Sequence, residues 1–193
     1  MESELLNQAD RLVGGKDAVL VIDDTAMPKK GDRSVGVAPQ YASSLGKTAN
    51  CQTLVSLTLA RGEVPVMLAL RLFLPESWMS NVHRLKRARV PVERRTARSK
   101  PEIALAEVDR AMAANVRFGC VLADAGYGLN APFRQGLTER GLAWAVGISR
   151  CIRLMYSSFG RLPKSAGSRE STTYQMSYRL RQNKCWPAPN GKP

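Results

Sequence analysis

Val19-Leu20-Val21-Ile22-Asp23-Asp24-Thr25-Ala26-Met27-Pro28 is the stretch on which the fold of this chain turns. Residues 19–22 form a run of β-branched and leucine side chains that reads as a buried strand, and two carboxylates, Asp23 and Asp24, follow at once. A carboxylate at the end of a buried strand is held by a rigid element and still faces a cleft. That placement suits a hard divalent cation, which prefers oxygen ligands. The plainer alternative is that one of the aspartates only opens an Asx turn toward Thr25.

Outward from this stretch, residues 28–50 are rich in Gly, Ser, Lys and Pro and read as a long surface excursion, the kind of segment that carries function. Leu45-Gly46-Lys47-Thr48 invites a phosphate-binding loop, but the full pattern needs glycine where Tyr41 stands, so no such cradle is encoded. Residues 51–59 alternate, with Cys51, Thr53, Val55, Leu57 and Leu59 on one face. Arg61-Gly62-Glu63 turns the chain, and residues 64–74 return as the second arm of a hairpin that Pro75 ends. Pro91 precludes one long helix through the arginines that follow Trp78.

Ser99-Lys100-Pro101-Glu102 has the form of a capping box, and Ala104, Val108, Ala111 and Met112 recur behind it at helical spacing. Residues 118–123 form a short apolar run that ends, like the first strand, in an aspartate, Asp124. Asn130 then caps a second helix with Pro132 in its first turn, Phe133 and Leu137 on one face, and Gly141 as its stop. Residues 142–148 are the last strand. The order strand, strand, strand, helix, strand, helix, strand is that of the ribonuclease H-like α/β fold, a mixed sheet with an antiparallel meander followed by helix crossovers. In that fold the first and fourth strands lie side by side, which brings Asp23 and Asp124 together.

The 193 residues, 44% of them hydrophobic, suffice for a domain with a substantial core. No apolar run approaches the length of a membrane span, and the N-terminus has no signal-peptide pattern, so the expectation is a cytoplasmic chain without a membrane partner. Cys51, Cys120, Cys151 and Cys185 are widely spaced and His83 is the one histidine, which indicates neither a zinc site nor a disulfide framework. Cys51 and Cys120 read as small strand hydrophobes.

The net charge of +13 is concentrated: residues 84–100 hold eight Lys or Arg against Glu93, and the residues after Arg150 hold eight against Glu170. Such a basic segment on a balanced body fits a polyanion, most simply DNA, and Arg84, Lys86, Arg87 and Arg89 are the candidate contacts. A merely solvated basic loop is the alternative reading.

Five blocks in order, Ile22 to Gly31, Ser34 to Tyr41, Gly46 to Gln52, Leu72 to Trp78 and Leu122 to Gly128, resemble the DDE transposases of bacterial insertion sequences. The resemblance is greatest to the insertion sequence 701 group, related to the insertion sequence 4 group. It implies a ribonuclease H-like core in which two aspartates and a distant glutamate hold two Mg²⁺ or Mn²⁺ ions for DNA strand cleavage and strand transfer. Carried over by motif, the catalytic and metal-binding residues are Asp23, in an Asp-x-Thr pattern with Thr25, and Asp124. Tyr127 is expected beside the second aspartate, and Lys29, Lys30 and Lys47 near the DNA backbone. Homo-oligomerisation is left open.

Two departures temper the activity that the resemblance implies. About eighteen residues precede the first strand, where the family has a sizeable end-recognition region, and no family-like glutamate context follows Arg150, where Glu170 is the sole acid. The expectation is a truncated fragment: a lead at 1–17, a partial core at 18–150, and a basic tail at 151–193 outside the fold, its composition suggesting an out-of-frame translation. Such a fragment is expected to be inactive. The alternatives are a DNA-binding remnant that competes with an intact transposase, and a nuclease that uses Glu170 as its third ligand.

Overall fold

A computed structural model describes residues 2–42, 45–148 and 153–157. Its centre is a seven-stranded mixed sheet. β1 (Val19–Pro28) lies between β3 (Lys47–Arg61), antiparallel to it, and β5 (Cys120–Ala123), parallel to it. β6 (Trp144–Ile148) continues the parallel half. β4 (Val64–Leu72) pairs with the outer edge of β3, so the sheet runs β4, β3, β1, β5, β6, as expected for the ribonuclease H-like order. Gly62, at φ 61, makes the tight β3–β4 turn.

Long-range pairing adds to this order. β1 does not end at the aspartates: it passes through them to Pro28 because β3 is long enough to pair with its whole length, whereas its pairing with β5 stops at Ile22 and Ala123. The carboxylates therefore stand where one neighbour ends and the other continues. Residues 28–50 are not wholly an excursion, since β2 (Ala38–Ala42) pairs with the first residues of β3. A seventh strand, β7 (Arg153–Ser157), lies antiparallel to β6, so the sheet extends beyond the boundary expected at 150. Residues 158–193, the rest of the expected tail with Glu170, lie outside the described residues.

α1 (Glu2–Val13) is no separate lead. Leu6, Ala9 and Val13 are buried in the main core, while Leu5 and Leu12 point outward. The same core takes Leu20 and Ile22 of β1, Leu57 and Leu59 of β3, Ala104, Val108 and Ala111 of α4 (Lys100–Ala113), and Phe133 and Leu137 of α6 (Ala131–Glu139). α4 begins with the expected capping box, in which Ser99 Oγ accepts from Glu102 N and Glu102 accepts from Ser99 N. Asn130 caps α6 by accepting from Phe133 N, and Gly141, at φ 68, follows its end.

Glu2 fastens α1 to the sheet: Arg71 on β4 donates to both of its carboxylate oxygens, at 2.8 and 2.7 Å, and also to Glu107 on α4. These hydrogen bonds and the charge of Arg71 lower the Glu2 pKa from 4.5 to about 2. A depressed folded-state pKa gives stability that is present above the unfolded value and lost as pH falls through the folded one. Glu2→Gln should therefore lower the urea midpoint above pH 4.5, and the gap from wild type should close as pH approaches 2. Added salt should narrow it too, because the carboxylate is exposed.

Between β4 and α4 the chain builds a second, smaller core. α2 (Glu76–Met79) and α3 (Val82–Arg87) carry Trp78 and Leu85, which with Val90, between α3 and a 3-10 turn at Val92–Arg94, bury against Val37 from the loop before β2. Pro91 separates α3 from the 3-10 turn, as its missing N–H and fixed φ require.

Candidate metal centre

The alternation of β1 sends its two aspartates to opposite faces of the sheet. Asp24 shares the face of Leu20 and Ile22, toward the helices, and Asp23 shares that of Val21. The parallel register pairs Ile22 with Ala123, and carried on by one residue it sets Asp124 beside Asp23. The two aspartates, 101 positions apart in the chain by their numbers, thus each follow the last residue of the β1–β5 pairing.

Asp124 is the N-cap of α5 (Ala125–Gly128), where its Oδ1 accepts from Tyr127 N at 3.2 Å. Tyr127 turns back into the core against Phe133, and its hydroxyl donates to Asp24 Oδ1 at 2.5 Å. The other oxygen of Asp24 accepts from Lys100 Nζ at 2.7 Å. Burial, the hydrogen bond to Asp24, and the charges of Asp24, Asp124 and Asp23 drive the Tyr127 pKa far above its ordinary value. The phenol therefore stays protonated and donates to Asp24.

Close backbone approach seats α5. A Cβ on Gly128 would lie 1.7 Å from the carbonyl oxygen of Gly147 on β6, and one on Gly147 would lie 2.8 Å from Ala125 N. Neither contact can be relieved by a side-chain rotation. Gly128→Ala should destabilise the chain by about 3 kcal/mol and displace Tyr127, read as a drop in melting temperature together with altered tyrosine fluorescence.

Asp23 and Asp124 offer the hard oxygen donors that Mg²⁺ or Mn²⁺ favours, so the donor chemistry fits such an ion. Among the described residues neither forms an ion pair, and no group of three or more His, Cys, Asp or Glu suited to a metal is present. The site as described thus supplies two carboxylate ligands. Asp24, with both oxygens engaged by Tyr127 and Lys100, differs from its neighbour.

The basic residues proposed for DNA fall into separate groups. Lys29 and Lys30 follow the end of β1, roughly 20 Å along the strand from Asp23 at about 3.3 Å per residue. Lys47 opens β3 opposite Ala42, on the same arm of the sheet. Lys86, Arg87 and Arg89 are exposed on the small core. Arg84 is otherwise engaged: its guanidinium lies 3.9 Å from the Trp78 ring centre and donates to the carbonyl oxygen of Asp32 at 2.7 Å, which fixes the loop before β2. Its charge density along the sequence gave no sign of this role. A cleft of about 840 Å³ beside it is lined by Arg33, Asn50, His83 and Arg87.

The strand order is that of the ribonuclease H-like fold, with Asp23 and Asp124 each one residue beyond the last β1–β5 pair. The chain belongs to the DDE superfamily endonuclease family, whose model matches residues 1–192. That match also covers the basic tail that was expected to lie outside the family fold. Among solved structures, the Drosophila P element transposase strand transfer complex is similar at 14% identity and a TM-score of 0.30, over 72% of this chain. The chain spans 25% of the length of that one. No curated protein matches the sequence.

Proposed function

We propose that the chain is part of a bacterial insertion-sequence transposase of the 701 group, and that Asp23 and Asp124 are the first two ligands of its metal centre. The observation that supports this reading is the parallel register of β1 and β5, whose last pair, Ile22 and Ala123, immediately precedes the two aspartates. When bound, the divalent ion would polarise the scissile phosphate and lower the barrier to in-line displacement by water or a DNA 3′-hydroxyl. Asp23 and Asp124 hold it from a rigid sheet, and Tyr127 and Lys100 fix the neighbouring Asp24. The basic residues of the small core and of the β2–β3 arm hold the DNA backbone.

With two candidate carboxylate ligands among the described residues, where the family has three, the chain is proposed to be a poor catalyst by itself. The same observation favours the second reading, a DNA-binding remnant that competes with an intact transposase. Incubation with supercoiled plasmid in Mg²⁺ or Mn²⁺ tests both: the expected result is binding without robust cleavage. Robust cleavage that disappears in Asp23→Ala or Asp124→Ala would establish the chain as an active nuclease. Its further loss in Glu170→Gln would identify that residue as the third ligand.

A further inference from the structure

Lys100 occupies an unusual place. It is the first residue of a 14-residue helix, where a cation opposes the helix dipole. Its position is nevertheless tightly specified. Ser99 and Glu102 form the capping box around it, and Pro101 fixes the backbone that follows. Its ammonium lies 2.7 Å from Asp24 Oδ2 and 5.6 Å from the centre of the Phe73 ring. The interaction that accounts for a cation here is with Asp24, 76 residues earlier in the chain.

We infer that Lys100 is the resident cation of the carboxylate cluster and selects which of two consecutive aspartates is open to metal, a reading that rests on the proposed metal centre. Asp23 and Asp24 are adjacent in sequence, carry the same group and lie on opposite faces of β1, with Tyr127, whose N–H is capped by Asp124, bonded to Asp24. Lys100 fills one oxygen of Asp24 and Tyr127 the other, so Asp24 has a full set of strong partners before any metal arrives. A divalent ion drawn to Asp24 would have to displace an ammonium held on a capped helix. At Asp23, which is exposed on the opposite face, it meets no such competitor among the described residues. Lys100 is thus a positioning residue that acts through Asp24, and it also ties the N-terminus of α4 to the catalytic strand.

The test is a titration of the full 193-residue chain with Mn²⁺ alone, followed by the electron paramagnetic resonance of the free ion. In the wild type, binding should be lost in Asp23→Asn and kept within about twofold in Asp24→Asn. Lys100→Met removes a positive charge and releases Asp24, so affinity should rise by about threefold to tenfold. That gain should vanish in Lys100→Met/Asp24→Asn. Unchanged affinity in Lys100→Met, or loss of wild-type binding in Asp24→Asn, would overturn the inference while leaving a metal centre in place. Absence of Mn²⁺ binding in every variant would remove the metal centre itself, and this inference with it. Should Lys100→Met fail to fold by circular dichroism, Lys100→Gln and the Asp24→Asn arm carry the same decision.

Discussion

Trp78→Ala should cost about 3–5 kcal/mol in the stability of the region that Trp78 organises. The indole is fully buried, and its Nε1 donates to the carbonyl oxygen of Val37 at 2.8 Å, so truncation leaves a cavity and removes the shorter of the two hydrogen bonds to that acceptor. Arg84 loses the ring on which it stacks, and with it part of the anchor for residue 32. Among the described residues the small core has four buried apolar side chains, Val37, Trp78, Leu85 and Val90, and cannot absorb the loss by repacking. Hydrogen exchange should therefore accelerate at 34–39 and 78–90, with much less change in β1 and β5. Trp78→Phe keeps most of the apolar contact, loses the hydrogen bond, and should cost about 1–2 kcal/mol. Unaltered protection in Trp78→Ala would mean that the segment is held by something other than this core.

DNA binding should fall steeply with salt, and the slope should depend on Lys86, Arg87 and Arg89. Non-specific affinity is expected at about 10⁻⁴ to 10⁻⁶ M, falling by about 0.9 log unit per phosphate contact for each tenfold rise in salt. If each of the three meets one phosphate, their joint replacement by alanine should reduce the slope by about 2.7. Arg84→Ala should behave differently. Its guanidinium is committed to Trp78 and to the carbonyl oxygens of Asp32 and Val37, so its loss should lower stability and leave the slope nearly intact. Fluorescence anisotropy with a labelled duplex at several salt concentrations reads both outcomes. A slope unaffected by the triple replacement would mean that the exposed basic face is merely solvated.

What the sequence made legible was local. The capping box at Ser99, the Asn130 cap, the Gly141 stop and the alternation from Cys51 to Leu59 all hold, because each is set by residues within a few positions of one another. The extension of β1 to Pro28 and the presence of β2 were not legible, since both depend on the length of β3 and on pairing that composition does not encode. β7 was missed for the same reason. At the candidate site the motif context named Asp23, Asp124 and Tyr127. Nothing local distinguished Asp24, whose two partners come from distant helices. The stacking of Arg84 was not legible either, because an arginine on a tryptophan and one facing solvent look alike in a charge count.

The central claim is that Asp23 and Asp124 hold one ion between them. Its most direct measurement uses Fe²⁺ in place of Mg²⁺, with ascorbate and peroxide, so that hydroxyl radicals cut the backbone next to the bound metal. Mass spectrometry of the fragments then locates the ion. The account expects two cuts that appear together as Fe²⁺ is added, one near 23–25 and one near 124–127, both suppressed by excess Mn²⁺ and both lost in Asp23→Asn. A single cut, or cuts confined to another acidic cluster such as Glu2 and Glu107, would contradict it.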